Sequence, residues 1–98
     1  MENLSLYLVH CGFYDLEVCD GVYESHVCFM IAASSFEDAR ARVKLEEGFR
    51  RKKMHVDGMQ QVSAVQGYRV VLAPDSALEG RSELVSSRHR ELAPPPPA

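Results

Sequence analysis

Asn3-Leu4-Ser5-Leu6-Tyr7-Leu8-Val9-His10-Cys11 places Leu4, Leu6 and Leu8 on one parity and Tyr7 and Val9 on the other. Ser5 is the one polar residue between Leu4 and Val9. Successive strand side chains point to opposite faces, so the stretch reads as a strand apolar on both sides. Such strands sit inside a sheet that is covered twice. Residues 25–33 repeat the pattern, with Val27, Phe29 and Ile31 on one face and His26, Cys28 and Met30 on the other.

The segment between these strands, residues 12–23, reads as a loop. It carries Gly12 and Gly21, the acids Asp15, Glu17 and Asp20, and the aromatics Phe13, Tyr14 and Tyr23. Asp20-Gly21 is a turn dipeptide. At about a dozen residues the loop exceeds the usual hairpin connection of roughly 2–5, which is the mark of a functional or mobile segment. After the second strand, Ser34-Ser35-Phe36-Glu37 fits a capping box that opens a helix. Phe36, Ala39 and Val43 form its apolar stripe, and Gly48 is expected to end it or to interrupt it before a last turn through Phe49. Residues 55–65 and 68–73 read as a closing hairpin turned at Gln66-Gly67, with Pro74-Asp75 as the stop.

The expected fold is therefore α+β, in the order β-β-α-β-β. It is a four-stranded mixed sheet with the third strand parallel to the second and one helix on one face. The compact domain spans residues 1–73. Residues 74–98 form a polar tail ending in Pro94 to Pro97, expected to be disordered or weakly helical, with Leu78, Val85 and Leu92 at seven-residue spacing. One helix covers one side of a sheet. Apolar surface left in water costs roughly 25 cal/mol per Å², and a large exposed patch marks an interface. Self-association through the sheet is the expected cover, because two-fold pairing is the commonest soluble assembly. The tail and a protein or small-molecule partner are the other covers weighed.

Ninety-eight residues, 46% hydrophobic and 26% charged, make one ordinary globular domain. No apolar run reaches the roughly 18–20 residues that span a bilayer, so no membrane partner is expected. Met1-Glu2-Asn3-Leu4 lacks the basic start of a signal peptide. The three cysteines, Cys11, Cys19 and Cys28, show no disulfide spacing. Together these point to a cytoplasmic protein with reduced thiols. The net charge of −3 argues against nucleic acid, whose binding draws on phosphate neutralisation. Arg50-Arg51-Lys52-Lys53 reads as a solvated helix end whose cations complement the dipole.

Two polar pairs could carry chemistry. Glu24 and His26 are two apart on a strand and share a face, and His55 and Asp57 repeat the spacing at the start of the third strand. A carboxylate beside an imidazole can orient it or act with it as an acid/base pair. With parallel pairing, Glu24, His26, His55 and Asp57 would converge at one end of the sheet. The bland alternative is a strand histidine bonded to Glu24, with Asp57 capping an Asp57-Gly58 turn. His10, Cys11, Cys19, His26 and Cys28 invite a zinc reading but offer none of the close-spaced pairs that zinc sites use, and His10 and Cys11 point to opposite faces. No cofactor is expected, and His26, His55 and Asp57 are the weak metal candidates. No P-loop, dinucleotide fingerprint or Ser-His-Asp arrangement is present.

At Tyr23-Glu24-Ser25-His26-Val27, His55-Val56-Asp57 and Gly67-Tyr68-Arg69, the chain resembles a bacterial family known as domain of unknown function 1543. The resemblance spans residues 4 to 72. It departs where members carry Tyr-Leu-Gly-Gly, against Tyr7-Leu8-Val9-His10-Cys11-Gly12 here, and Glu-Leu-His-Asp, against Glu24-Ser25-His26-Val27. It implies a bacterial cytosolic protein and no particular activity. The functional expectation is a non-catalytic homodimeric binding module. The alternative is a small enzyme or metal-dependent site built on the Glu-x-His and His-x-Asp pairs.

Overall fold

The computed structural model describes residues 3–88. Strand β1 is Ser5–Tyr14 and strand β2 is Glu24–Ala33. Helices α1, Phe36–Val43, and α2, Glu47–Arg51, follow. Strand β3 is His55–Val62, and the two-residue strands β4, Ala64–Val65, and β5, Tyr68–Arg69, close the order.

The α+β class holds, but two short helices stand where one was expected, and the sheet differs from the one expected. It has three strands in the order β2-β1-β3, all antiparallel neighbours, and β4 and β5 pair in a separate two-stranded ladder. The third strand does not pair with the second. It crosses over through the helices to the far side of β1. The pattern of β1 explains this. Its apolar residues on both parities suit the middle of a sheet, and the middle position is open to a partner on each edge.

One face of the sheet carries the core. Tyr7, Val9 and Cys11 of β1, Ile31 and Ala33 of β2, Ala39 and Val43 of α1 and Phe49 of α2 are buried together, with Phe29, Met54, Val56 and Met59 packed against them. The Tyr7 and Phe36 rings meet edge to face at 5.1 Å. The even residues of β1 point the other way. Leu6 and Leu8 are only half-buried there, and Met30 of β2 is exposed. Leu72, Ala73 and Pro74 line a cleft with Leu4 and Ala32, so the chain after β5 reaches one end of this open face.

The helix begins one residue later than Ser34. Ser35 Oγ accepts the Asp38 N–H at 3.0 Å, and Asp38 Oδ2 accepts from the Ser34 N–H at 2.9 Å and its hydroxyl at 3.0 Å. The reciprocal logic of the capping box survives with its register shifted by one. Gly48 does not end the helical stretch but lies inside α2. The stop is Lys53, whose φ of 50° is left-handed. The Met54 N–H bonds the Phe49 carbonyl at 3.1 Å and the Lys53 N–H the Arg50 carbonyl at 3.4 Å, which is a Schellman ending. It aims the chain into β3.

Gln66-Gly67 is the turn of the β4–β5 ladder, both residues at positive φ (48° and 88°), as the tight hairpin turn requires. The hairpin is shorter than expected, because residues 55–62 pair with β1 instead. In the tail, Ser76–Leu78 form one 3₁₀ turn capped by Asp75, and residues 79–88 have no regular structure. Leu92 and Pro94 to Pro97 lie outside the described residues.

Candidate functional site

Strands β2 and β3 both run opposite to β1, so they run the same way on either side of it. Gly12 registers with His26 on β2 and with His55 on β3. Strand neighbours lie about 4.8 Å apart, so β2 and β3 are separated by roughly 9.5 Å. A side chain on β1 would fill that interval. Gly12 has none. A methyl there would overlap Glu24 Oε1 and stand 2.7 Å from Asp57 Oδ2 and 2.8 Å from His55 Nε2. The glycine is the floor over which the two flanking strands touch.

The four polar candidates do converge. His55 Nε2 lies 2.8 Å from Glu24 Oε1 and 3.0 Å from Asp57 Oδ1. His26 Nδ1 lies 3.2 Å from Asp57 Oδ2, and its Nε2 is 3.9 Å from Glu24 Oε2. They do so without the expected β2–β3 pairing. The common strand direction survives because each strand is antiparallel to the same neighbour. Asp57 does not sit in a turn. It is the extra residue of a bulge, since Val56 pairs with Cys11 and Gly58 with His10. Bulges re-aim side chains beside active sites, and this one leaves Asp57 on the open face with His55.

A fifth group joins them. His10 Nε2 is 3.2 Å from His26 Nδ1, with the two rings 4.9 Å apart and tilted by 22°. Sequence reading weighed His10 only in a zinc set with Cys11, Cys19, His26 and Cys28, and not with the Glu-x-His and His-x-Asp pairs. The signal that separates His10 from Cys11 is parity. His10 and Gly12 share the open face, while Cys11 is fully buried with its Sγ against the Val9 carbonyl. Burial pushes the Cys11 thiol above its ordinary value, and the Asp57 and Cys28 charges add to that. Cys11 is a core residue, and Cys19 is exposed on the loop. Of the cysteines, Cys28 alone lies beside the cluster, with Leu8, His10, Asp57 and Gln60 around a shallow cleft of about 370 Å³.

All five groups face solvent in part, with side-chain exposures between 29% and 49% for Glu24, His26, His55 and Asp57. Exposed ion pairs contribute roughly 0–1 kcal/mol each, so stability is a weak reason to gather them. Bringing Glu24 and Asp57 together over one glycine costs like-charge repulsion, which a proton or a cation between them offsets. Imidazole nitrogens and carboxylate oxygens are the donor set of zinc and its neighbours in the first transition row.

The loop after β1 runs from residue 15 to residue 23 beside this cluster. The Tyr14 ring is 6.5 Å from that of His55. Asp15 anchors the loop start. The Glu17 N–H and the Lys52 ammonium hold its carboxyl below the usual range, with Lys52 Nζ at 3.0 Å. Lys52 thus belongs to a structural contact, and Arg50 and Arg51 remain exposed. Among the described residues no helix is long and apolar enough to cross a membrane. No protein-family profile, curated protein or solved structure matches the chain.

Proposed function

We propose that this protein is a metal-binding module that holds a divalent first-row transition ion, zinc foremost, on the open face of its sheet. One observation carries the reading: His10, Glu24, His26, His55 and Asp57, drawn from three strands, meet over a residue that has no side chain. Neutral imidazoles and ionised carboxylates match such an ion in softness and charge. The open face leaves room for water or a small anion as a further ligand, as sites that act on substrates require. The alternative of the sequence reading thereby leads, and Glu24, His26, His55 and Asp57 are its proposed ligands, with His10 added.

Zinc titration of the full chain against a chromophoric chelator tests this. Binding at micromolar or tighter affinity, weakened in His26→Ala and in His55→Ala while their circular dichroism is unchanged, is the expected result. No zinc bound by the folded parent chain, or the same affinity in both variants, would make the histidines ordinary strand residues.

Self-association is a second reading, and exposed apolar side chains favour it. Leu16, Val22 and Tyr23 of the loop are more than two-thirds exposed, and Met30 is half exposed on the open face. The occupant proposed is a second copy of the chain, and light scattering across a concentration series reads it directly. Membership of the domain of unknown function 1543 family, with a bacterial cytoplasmic setting, is proposed on the residues quoted for it.

A further inference from the structure

The five donors do not form one set. His10, His26 and Asp57 bring a ligand atom each within 4.8 Å of one another, and so do Glu24, His55 and Asp57. Asp57 is the one residue common to both triads. Its two oxygens divide between them: Oδ2 faces His26 Nδ1 at 3.2 Å, and Oδ1 faces His55 Nε2 at 3.0 Å. On the first side His10 Nε2 completes the triad, 3.2 Å from His26 Nδ1. On the second side Glu24 Oε1 does so, 2.8 Å from His55 Nε2.

Resting on the metal-binding reading, we propose that the site is dinuclear, with two divalent ions bridged by the Asp57 carboxylate. Ligand bonds of about 2.0–2.2 Å put the donors of one tetrahedral ion roughly 3.3–3.6 Å apart; two donor pairs of each triad lie at 2.8–3.2 Å, and each triad has donors within 4.8 Å of one another. A carboxylate that offers one oxygen to each ion spans the separation of about 3.5–4 Å found in paired sites. The bulge at residues 57 and 58 has a role in this arrangement. It sets Asp57 between the histidine of its own strand and that of the far strand. Gly58 opposite His10 adds no side chain, and a Cβ there would meet nothing within 4 Å. Two dications carry four positive charges against two carboxylates. The exposed side of the pair therefore favours hydroxide or a small oxyanion such as inorganic phosphate as a shared further ligand.

Stoichiometry decides the question. The full chain, stripped with a chelator and checked for fold by circular dichroism, is reloaded with zinc and measured by elemental analysis after desalting. Two ions per chain are expected in the parent. His10→Ala and Glu24→Gln are each expected to retain one, by losing opposite triads, and Asp57→Asn to weaken both. Cobalt loading gives an independent readout, since two bridged ions couple their spins and the paramagnetic signal changes shape between half and full loading. Saturation at one ion per chain, with His10→Ala unchanged, overturns the dinuclear site and leaves the metal-binding reading standing. No bound metal in the folded parent overturns both.

Discussion

Glu24 on β2 and His55 on β3 lie 2.8 Å apart although β1 runs between their strands. The contact passes over the backbone of Gly12, where any other residue would put a Cβ among the donor atoms. The architecture of the site is thus written in an omission. Two identical spacings, Glu-x-His and His-x-Asp, become one cluster because a glycine stands at the one position that registers with both.

Gly12→Ala tests that relationship directly. The added methyl meets the far ends of flexible side chains, so the fold is expected to persist. The donors must splay. Zinc affinity is expected to fall by about 10–100-fold, the range seen when groups that orient ligands are lost. Chelator competition measures the affinity and thermal denaturation checks the fold. Unchanged affinity would show that Gly12 is not the floor of the site.

The Asp38 carboxyl makes stability fall in acid. The Ser34 N–H, the Arg42 guanidinium and the Ser34 hydroxyl hold it below its ordinary value of 3.8. Its folded value is depressed, so its contribution is present above the unfolded value and is lost as pH falls through the folded one. The Asp38 contribution to the urea midpoint is expected to be lost below about pH 4. In Asp38→Asn the fall in midpoint with acid is expected to be shallower, from a lower starting midpoint.

Lys53 occupies a left-handed position that glycine fills at lower cost. Lys53→Gly is expected to stabilise the protein by about 1 kcal/mol, since a side chain in this conformation costs roughly that much. For a domain of this size the melting temperature rises by about 4–8 °C. A fall in melting temperature would mean that the lysine side chain contributes more than its backbone strain costs.

Val9 is fully buried at the centre of β1. Val9→Ala removes two methyl groups and leaves a cavity, and a loss of about 2–3 kcal/mol is expected. Because Val9 faces the core and the donors face away, zinc stoichiometry in the folded variant should not change. Chemical denaturation and metal analysis on the same preparation separate the two effects.

Local sequence signals marked β2, the helix start to within one residue, the turn at Gln66-Gly67, the two polar pairs and β1 as far as Cys11, while Gly12, Phe13 and Tyr14 were expected in the loop and lie in the strand. These are local properties: side-chain alternation, a hydroxyl near free amides, a backbone that tolerates positive φ. Strand order is not local. Residues 55–62 have a pattern that suits either edge of β1 or a pairing with β2, and packing through α1 and α2 chose the far edge. His10 joined the cluster only once the register placed His26 beside it, whereas the spacing had already put Asp57 with His55 and only the bulge that holds it there was hidden. A sequence states which way a side chain alternates along its own strand. Which strands lie on either side, and how far a missing side chain lets them reach, depends on contacts between residues distant in the chain.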